Sequence, residues 1–267
     1  KLAETLQRLA RQDPTFRVRV SEETGQTIIS GMGELHLEVI RDRMEREFGL
    51  AVRVHKPRVS YRETIRKTVE VSGEFQRSSA GVTQFARVKI RVEPLAEEQQ
   101  VEVENQLLPG TLVPELVEVL EEAIRNEASG GGMLGYPLMR VRLVILDVES
   151  RVGETTDVAL LAAASDAVQC GLNQAGITLL EPIMRLEVVT PDEFLGGIQG
   201  DLNARRAVIL SSQRRGDLAV LTADVALAEM FGYSTQVRSL SQGRASYSME
   251  PLKYADAPSQ VLDGMLG

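Results

Sequence analysis

The imidazole and thiol groups, the side chains best suited to hold zinc or act as a nucleophile, are few: His36, His55 and Cys170. His36 sits in "GMGELHLEVI", Gly31 to Ile40, flanked by Glu34 and Glu38 and preceded by glycines, a setting that invites a zinc-hydrolase reading. That pattern needs two histidines four apart with a glutamate directly after the first. Here Leu37 follows His36 and position 40 is Ile, so the pattern fails. His55 and Cys170 stand tens of residues away, and no metal-ligand spacing joins the three. Cys170 lies in an apolar helical run. A single cysteine excludes an internal disulfide framework and fits a reducing compartment.

Phosphate and acyl chemistry fare no better. No "GxxxxGK[ST]" loop is present, and the "GGG" at 130–132 is followed by Met133 rather than lysine, as in a flexible connector. No serine stands in a "GxSxG" elbow. The acidic pairs Glu22–Glu23, Glu97–Glu98 and Glu121–Glu122 read as solvated faces, because acid–base work needs convergence in a pocket. No catalytic, cofactor-binding or metal-binding residue is assigned, and the sequence reads as a non-enzyme.

Arginines gather where chain turns are expected. Arg205 and Arg206 follow "GDLN" near a helix end, Arg214 and Arg215 fall in a hairpin turn, and Arg77 and Arg151 adjoin glycine-containing loops. Solubility and favourable placement at helix ends would explain them; so would phosphate contact through the guanidinium fork. A net charge of -8 excludes wholesale coating of nucleic acid but not local basic tips. Aromatics make up 4% with no Trp, too sparse for a sheet that stacks single-stranded bases.

The elements that must position these residues follow from periodicity. The chain has 267 residues, enough for two or more domains, and its 43% hydrophobic and 25% charged content suits globular packing. Leu2, Leu6 and Leu9 predict a helix ending near Asp13-Pro14. Alternation of Phe16, Val18 and Val20 predicts a strand, "EETG" a turn, and "QTIIS" its hairpin partner. The glycines of "GMG" turn the chain into a helix over "ELHLEVIRDRMEREF", with Leu35, Val39, Ile40 and Met44 inward and His36 lateral or exposed. "LAVRVH" predicts a closing strand with Val52 and Val54 inward. This order is a split βαβ unit whose opening strand is missing, and with a helix already under way at Lys1 it reads as a piece of a longer chain. No span reaches transmembrane length, and no signal peptide opens the sequence.

The same order recurs intact over 182–250. Met184, Leu186 and Val188 face one way along a strand. "TPDEF" then starts a helix with Thr190 as cap, Pro191 in the first turn and Glu193 three after the cap. Leu195, Ile198 and Leu202 continue it, and a hairpin, a helix around 233–241 and the strand "RASYSM" follow. Between the copies, long charged strands in "VSYRETIRKTVEVSGEFQR" and "QFARVKIRVEPL" precede "VEVEN", a helix at 114–128, the strand "LMRVRLVILDVES" and a long helix from near Thr155. Thr155 or Thr156 caps that helix, which buries Leu160, Leu161, Ala164 and Val168. The fold class is therefore α+β in three domains: 1–57, 58–181 and 182–267 with a C-terminal tail.

The segments "DPTFRV" (13–18), "TGQTIISGMGELHLEVI" (24–40), "KPRVSYRETI" (56–65), "LLEPIMRLEVVTPDEFLG" (179–196), "GDLNARR" (200–206) and "LAEMFGYSTQVRSLSQGRASYSM" (227–249) are familiar together. In this order the sequence resembles the elongation factor G family of translational GTPases, over its third, fourth and fifth domains. The resemblance implies two ferredoxin-like split βαβ domains flanking a ribosomal protein S5 domain 2-like domain. It also implies a role in GTP-dependent tRNA–mRNA translocation, with GTP and Mg bound by a domain absent here, so no cofactor is expected in this portion. The implied partners are both ribosomal subunits, through rRNA and ribosomal proteins, and the mRNA–tRNA complex near the decoding centre. The implied setting is a cytoplasmic, membrane-free monomer. The alternatives are the corresponding part of a ribosome-recycling G-type factor, a tetracycline-protection-like protein, or a structural scaffold without RNA contacts.

Two loops form the RNA-facing tip in that family. The first corresponds to "SSAGVTQFARV", Ser78 to Val88, where Phe85 replaces the usual tyrosine and glycines and an arginine are lost. The second corresponds to "ESRVGETTDVAL", with Arg151 where the family usually has a histidine. The resemblance and the arginine clusters together nominate Arg77, Gly81, Gln84, Phe85, Arg151, Gly153, Glu154, Arg205, Arg206, Arg214 and Arg215 as ribosome or RNA contacts. "GELHLEVI" matches as scaffold.

Overall fold

A computed structural model describes residues 1–21, 25–32, 34–55, 58–79, 81–96 and 100–266, with the side chains of 34, 35 and 264–266 excepted. The turn expected at 22–24, the second glycine of "GMG", the Leu35 side chain and the pairs Glu22–Glu23 and Glu97–Glu98 lie outside the described residues. The chain falls into two units. One joins Lys1–Ser60 with Glu181–Tyr254, and the other joins Tyr61–Leu180 with Ala255–Gly267.

In the first segment, α1 (Leu2–Gln12) and α2 (Glu34–Phe48) accompany a hairpin of β1 (Arg17–Val20) and β2 (Thr27–Ser30), with Val18 opposite Ile29. Leu6, Leu9, Phe16, Ile40 and Met44 form its core, and Leu37 packs on them. The apolar stripe of α2 is thus Leu37, Ile40 and Met44, three and four apart. Val39, expected inward, is 50% exposed because it lies one step round the helix from Ile40. The closing strand expected at 50–55 is not formed. Val52 packs on the core, but Val54 is exposed and no ladder is made there.

The second unit is built on a sheet of order β4-β5-β7-β6, from β4 (Val69–Ser79), β5 (Val82–Pro94), β6 (Glu102–Asn105) and β7 (Val141–Glu149). A short β3 (Arg62–Ile65) precedes it and pairs with Ile177–Leu180, the opening of β8 (Ile177–Pro191). The long strand read through 59–77 is therefore two strands. Two helices cover one face, α3 (Pro114–Ser129) and α4 (Asp157–Ala175), and a terminal helix spans Ser259–Leu266. Alternate β5 residues Ala86, Val88, Ile90 and Val92 are fully buried against Leu120, Ile124, Leu160 and Val168. Leu161, expected in that core, is 47% exposed, since the buried face of α4 runs through 160, 163, 164, 167 and 168. Thr156 is the cap of α4 and accepts the Ala159 N–H at 3.3 Å.

The remaining part of the first unit follows β8 with α5 (Asp192–Ala204), β9 (Val208–Arg215), β10 (Leu218–Ala226), a 3-10 turn at Leu227–Met230, α6 (Tyr233–Leu240) and β11 (Ser246–Asp256). Its strands lie in the order β11-β8-β10-β9, so the fourth strand borders the first, as a split βαβ requires. Met184, Leu186 and Val188 face Ile198, Leu202, Leu221 and Tyr233 in the core. The α5 cap is one residue later than expected. Pro191 holds the position, while Thr190 stays buried in the strand. This order also explains why 50–55 makes no ladder. A fourth strand bonds to the first, and the first segment contributes no first strand among the described residues.

Candidate nucleic-acid interface

The far ends of β4 and β5 meet the loop between β7 and α4. Register pairs Arg77 with Gln84 and Ser79 with Val82, which closes a tight turn around Gly81, where φ is 81°. That positive φ suits glycine. The neighbouring loop is stitched to this hairpin by its backbone. Phe85 N–H donates to Glu154 O at 3.0 Å, and Thr155 Oγ1 donates to Phe85 O at 2.7 Å. Arg151 N–H in turn donates to Thr155 Oγ1 at 2.8 Å. Thr155 is thus the rivet between the two loops rather than the helix cap.

Over this rivet the Arg151 guanidinium lies 3.5 Å from the centroid of the Phe85 ring, between Glu149 at 3.5 Å and Glu154 at 3.6 Å. The ring itself is 1% exposed. Of the tip residues nominated from the sequence, the structure exposes Arg77, Gly81, Arg151 and Gly153, half-buries Gln84 and Glu154, and buries Phe85. Val152, at the crest of the second loop, is fully exposed. The arrangement offers a cationic rim on a buried aromatic support. Among the described residues it brings no acid–base pair together.

The four arginines of 181–254 nominated from the sequence divide into two kinds. Arg205 donates to Asp201 at 2.8 Å and to the Glu229 carbonyl, and its guanidinium lies 5.3 Å from the Tyr233 ring centroid. Arg206 adopts a left-handed φ of 61° and bonds Glu229 at 3.0 Å and the buried Glu181 at 3.2 Å. Arg205 is drawn inward, whereas Arg206 is tied down by the two glutamates but stays exposed. Arg214, by contrast, is 75% exposed and pairs with Asp192 at 2.7 Å, and Arg215 is exposed at the end of β9.

His36 is scaffold. Its Nδ1 accepts the Met32 N–H at 3.0 Å, so Nε2–H is left to donate to Asp13 at 2.7 Å. The Asp13 carboxyl is held below its usual range, first by hydrogen bonds from Thr15 and then by His36. The pair ties the end of α1 to the start of α2. Among the described residues no group of His, Cys, Asp and Glu could hold a metal, and no helix is long and apolar enough to cross a membrane.

Comparison with known proteins decides the family. Models described as Elongation Factor G, domain III, Elongation factor G, domain IV, and Elongation factor G C-terminus match residues 1–56, 57–176 and 178–265. The chain belongs to the elongation factor G family. Proteins named elongation factor G from Thermotoga maritima and Thermotoga neapolitana are 44% and 43% identical over 268 residues, covering 100% of this chain and 39% of theirs. A crystal structure of a Thermus thermophilus protein matches with a TM-score of 0.82 at 33% identity, covering 99% of this chain and 40% of that one. The chain therefore spans about two-fifths of the length of these relatives.

Within the two units, the sequence reading did not single out two residues. Glu63, fully buried in β3, accepts N–H groups of Leu134 and Tyr136 at 3.0 and 2.8 Å and so organises the glycine-rich "GGGMLGYP" loop. Burial pushes its carboxyl above the usual range, against the lowering effect of those bonds. Glu181 anchors Arg206. A glutamate in a run of otherwise inward strand residues was the available signal for both.

Proposed function

We propose that this portion is the ribosome-contacting arm of a cytoplasmic, GTP-driven factor that promotes tRNA–mRNA translocation, acting as a monomer on both ribosomal subunits. The nucleotide and its Mg belong to a domain outside this sequence. The observation that carries the reading is the riveted tip. Two loops, distant in sequence, are locked by Thr155 and Phe85 and present Arg77 and Arg151 outward. A guanidinium there suits a phosphate-lined site such as the decoding region. Arg214 and Arg215 supply a second cationic point for rRNA. Gly81, Gly153, Gln84 and Glu154 shape the tip, with Phe85 supporting it from below, while Arg205 and Arg206 support the fifth domain.

The test is a full-length factor carrying Arg151→Ala, with mRNA movement and GTP hydrolysis followed separately. Translocation should slow several-fold while hydrolysis is kept. Both rates unchanged would remove the tip from the mechanism. A second reading, the recycling of post-termination ribosomes, draws on one observation. Arg151 stands where the family resemblance expects histidine, and here it is held by Phe85 and two glutamates. Subunit splitting measured on the same preparation separates the two activities.

A further inference from the structure

Helices α3 and α4 cover one face of the second unit's sheet, and residues near the C-terminal ends of both border a cavity of about 350 Å³, together with the loop at 130–133. That size is at the small end of the range for ligand sites, about 300–1,000 Å³. The cavity is remote from the tip. The run of α4 from its cap Thr156 to Val168 in the cavity wall spans about 18 Å at 1.5 Å per residue. Its lining divides into two kinds of surface. Val168 and Leu172 are buried and give an aliphatic floor, beside the half-exposed thioether of Met133. Around that floor stand Asn126, Glu127, Gln169 and Asn173.

The polar rim is rich in acceptors and poor in cations. Glu127 Oε1 accepts from Gln169 Nε2 at 3.1 Å, which leaves Glu127 Oε2 and the Gln169 amide oxygen without a hydrogen bond among the described residues. No lysine, arginine or histidine lines the cavity among the described residues. Helix α3 ends here with no basic residue in its last turn, so its own side chains do not offset the negative end of its dipole. A further acceptor stands behind the loop. Glu63 is fully buried, its Oε2 has no hydrogen-bond partner among the described residues, and a Cβ on Gly132 would fall 2.1 Å from that oxygen. The cavity wall at Gly132 is therefore backed by an unpartnered carboxyl oxygen.

An apolar floor under an acceptor rim without cations fits one chemistry. An alkylammonium carries a compact charge with several N–H donors on a methylene stem that prefers apolar surface. We infer that this cavity is an alkylammonium-binding site. Glu127 pairs with the head, the amide oxygens of Asn126, Gln169 and Asn173 accept its remaining protons, and Val168, Leu172 and Met133 cover the stem. The same head and stem are presented by a free polyamine and by a lysine side chain of another protein.

Amide chemical shifts of the whole 267-residue chain are followed with n-butylammonium chloride as probe. The controls are 1-butanol, which has the same stem without the charge, and sodium chloride at matched ionic strength. The probe should move the amides of 126–133 and 168–173 saturably, with a dissociation constant of about 1–10 mM for so small a ligand. Glu127→Gln keeps an acceptor for Gln169 and should weaken the probe about tenfold, the worth of one charge-assisted bond. Asn173→Lys, at an exposed position, sets an ammonium on the rim and should abolish binding. An unchanged spectrum elsewhere reports that each variant is folded.

Spermidine and N-acetyl-lysine methylamide then separate the sources. Spermidine binding more than about tenfold tighter, beyond what its extra charges supply at high salt, assigns the site to free polyamines, and any smaller difference assigns it to a lysine of a protein partner. No saturable shift at about 50 mM n-butylammonium overturns the site. An equal response to 1-butanol reduces it to an apolar cavity, and an equal response to sodium chloride reduces it to diffuse screening; either overturns the inference. So does unchanged binding of the probe by Glu127→Gln or Asn173→Lys.

Discussion

The guanidinium of Arg151 rests 3.5 Å above the ring of Phe85, a side chain that is itself buried. The cation is therefore placed by a hydrophobic residue that no partner can reach directly. Removing each half should have a different cost. Phe85→Ala empties a core position and should destabilise the second unit by about 3–5 kcal/mol. Arg151→Ala removes an exposed cation–π contact and should cost about 0.5–1 kcal/mol. Urea midpoints at constant slope measure both. Equal losses would mean that the ring and the cation are not related as support and load.

Glu63 offers a pH signature of the opposite sign to an ordinary paired carboxylate. Burial raises its folded pKa above the unfolded value, so the native state holds the proton more tightly. Its contribution to stability is fully present at low pH and is lost as pH rises through that raised pKa. Glu63→Gln keeps the acceptor for Leu134 and Tyr136 and should flatten this slope. Glu63→Ala leaves two loop N–H groups without their acceptor and should cost about 1–3 kcal/mol for each one left buried. Unfolding followed between mildly acidic and mildly alkaline pH distinguishes the variants. The loop tolerates little else, because a Cβ on Gly132 would collide with the Glu63 carboxylate.

The Asp13–His36 pair predicts the reverse dependence. Hydrogen bonds from Thr15, and then from His36, lower the folded pKa of Asp13. The stability this brings is present above the unfolded pKa and is lost as pH falls through the folded one. Asp13→Asn should therefore flatten the acid limb of unfolding for the first unit, with little change in its slope near neutrality. Thermal unfolding at several acidic pH values checks it. An unchanged acid limb would show that the carboxylate does not bind protons differently in the two states.

Much of this architecture was legible because periodicity reports burial directly. The alternation in β5 and the spacing of Leu6 and Leu9 each identified the buried face. Errors arose where a face has to be chosen between neighbours one step apart on a helix, as with Val39 and Leu161, whose own hydrophobicity says nothing about which side meets the core. The strand expected at 50–55 failed for a different reason, since a ladder depends on a partner that alternation cannot reveal. Close approach was hidden as well. A Cβ on Gly73 in β4 would collide with the backbone of Ala163 and Ala167, so strand and helix touch through a residue whose role periodicity does not report. At the candidate site the sequence located the loops and the arginines, but not which arginines turn inward. That depends on carboxylates such as Asp201, which holds Arg205 at 2.8 Å, and Glu181 of β8, which ties down Arg206.

This division between inward and outward arginines gives a prediction that separates support from contact. Arg205 is mostly buried and bonded to Asp201 and to the Glu229 carbonyl. Arg205→Ala should destabilise the first unit by about 1.5–3 kcal/mol, the range for bonds to a charged group. Arg215 is exposed at the end of β9, and Arg215→Ala should leave stability within about 0.5 kcal/mol. On ribosomes the order should invert once folding is allowed for. In the full-length factor Arg215→Ala should weaken association and reduce its dependence on salt, because a lost phosphate contact releases one fewer counterion. Arg205→Ala, assayed well below its unfolding temperature, should keep the salt slope of the unaltered factor. Binding titrations at two salt concentrations, alongside urea unfolding, supply both readouts. A reduced slope for Arg205→Ala with full stability would place that arginine on the ribosome-facing surface instead.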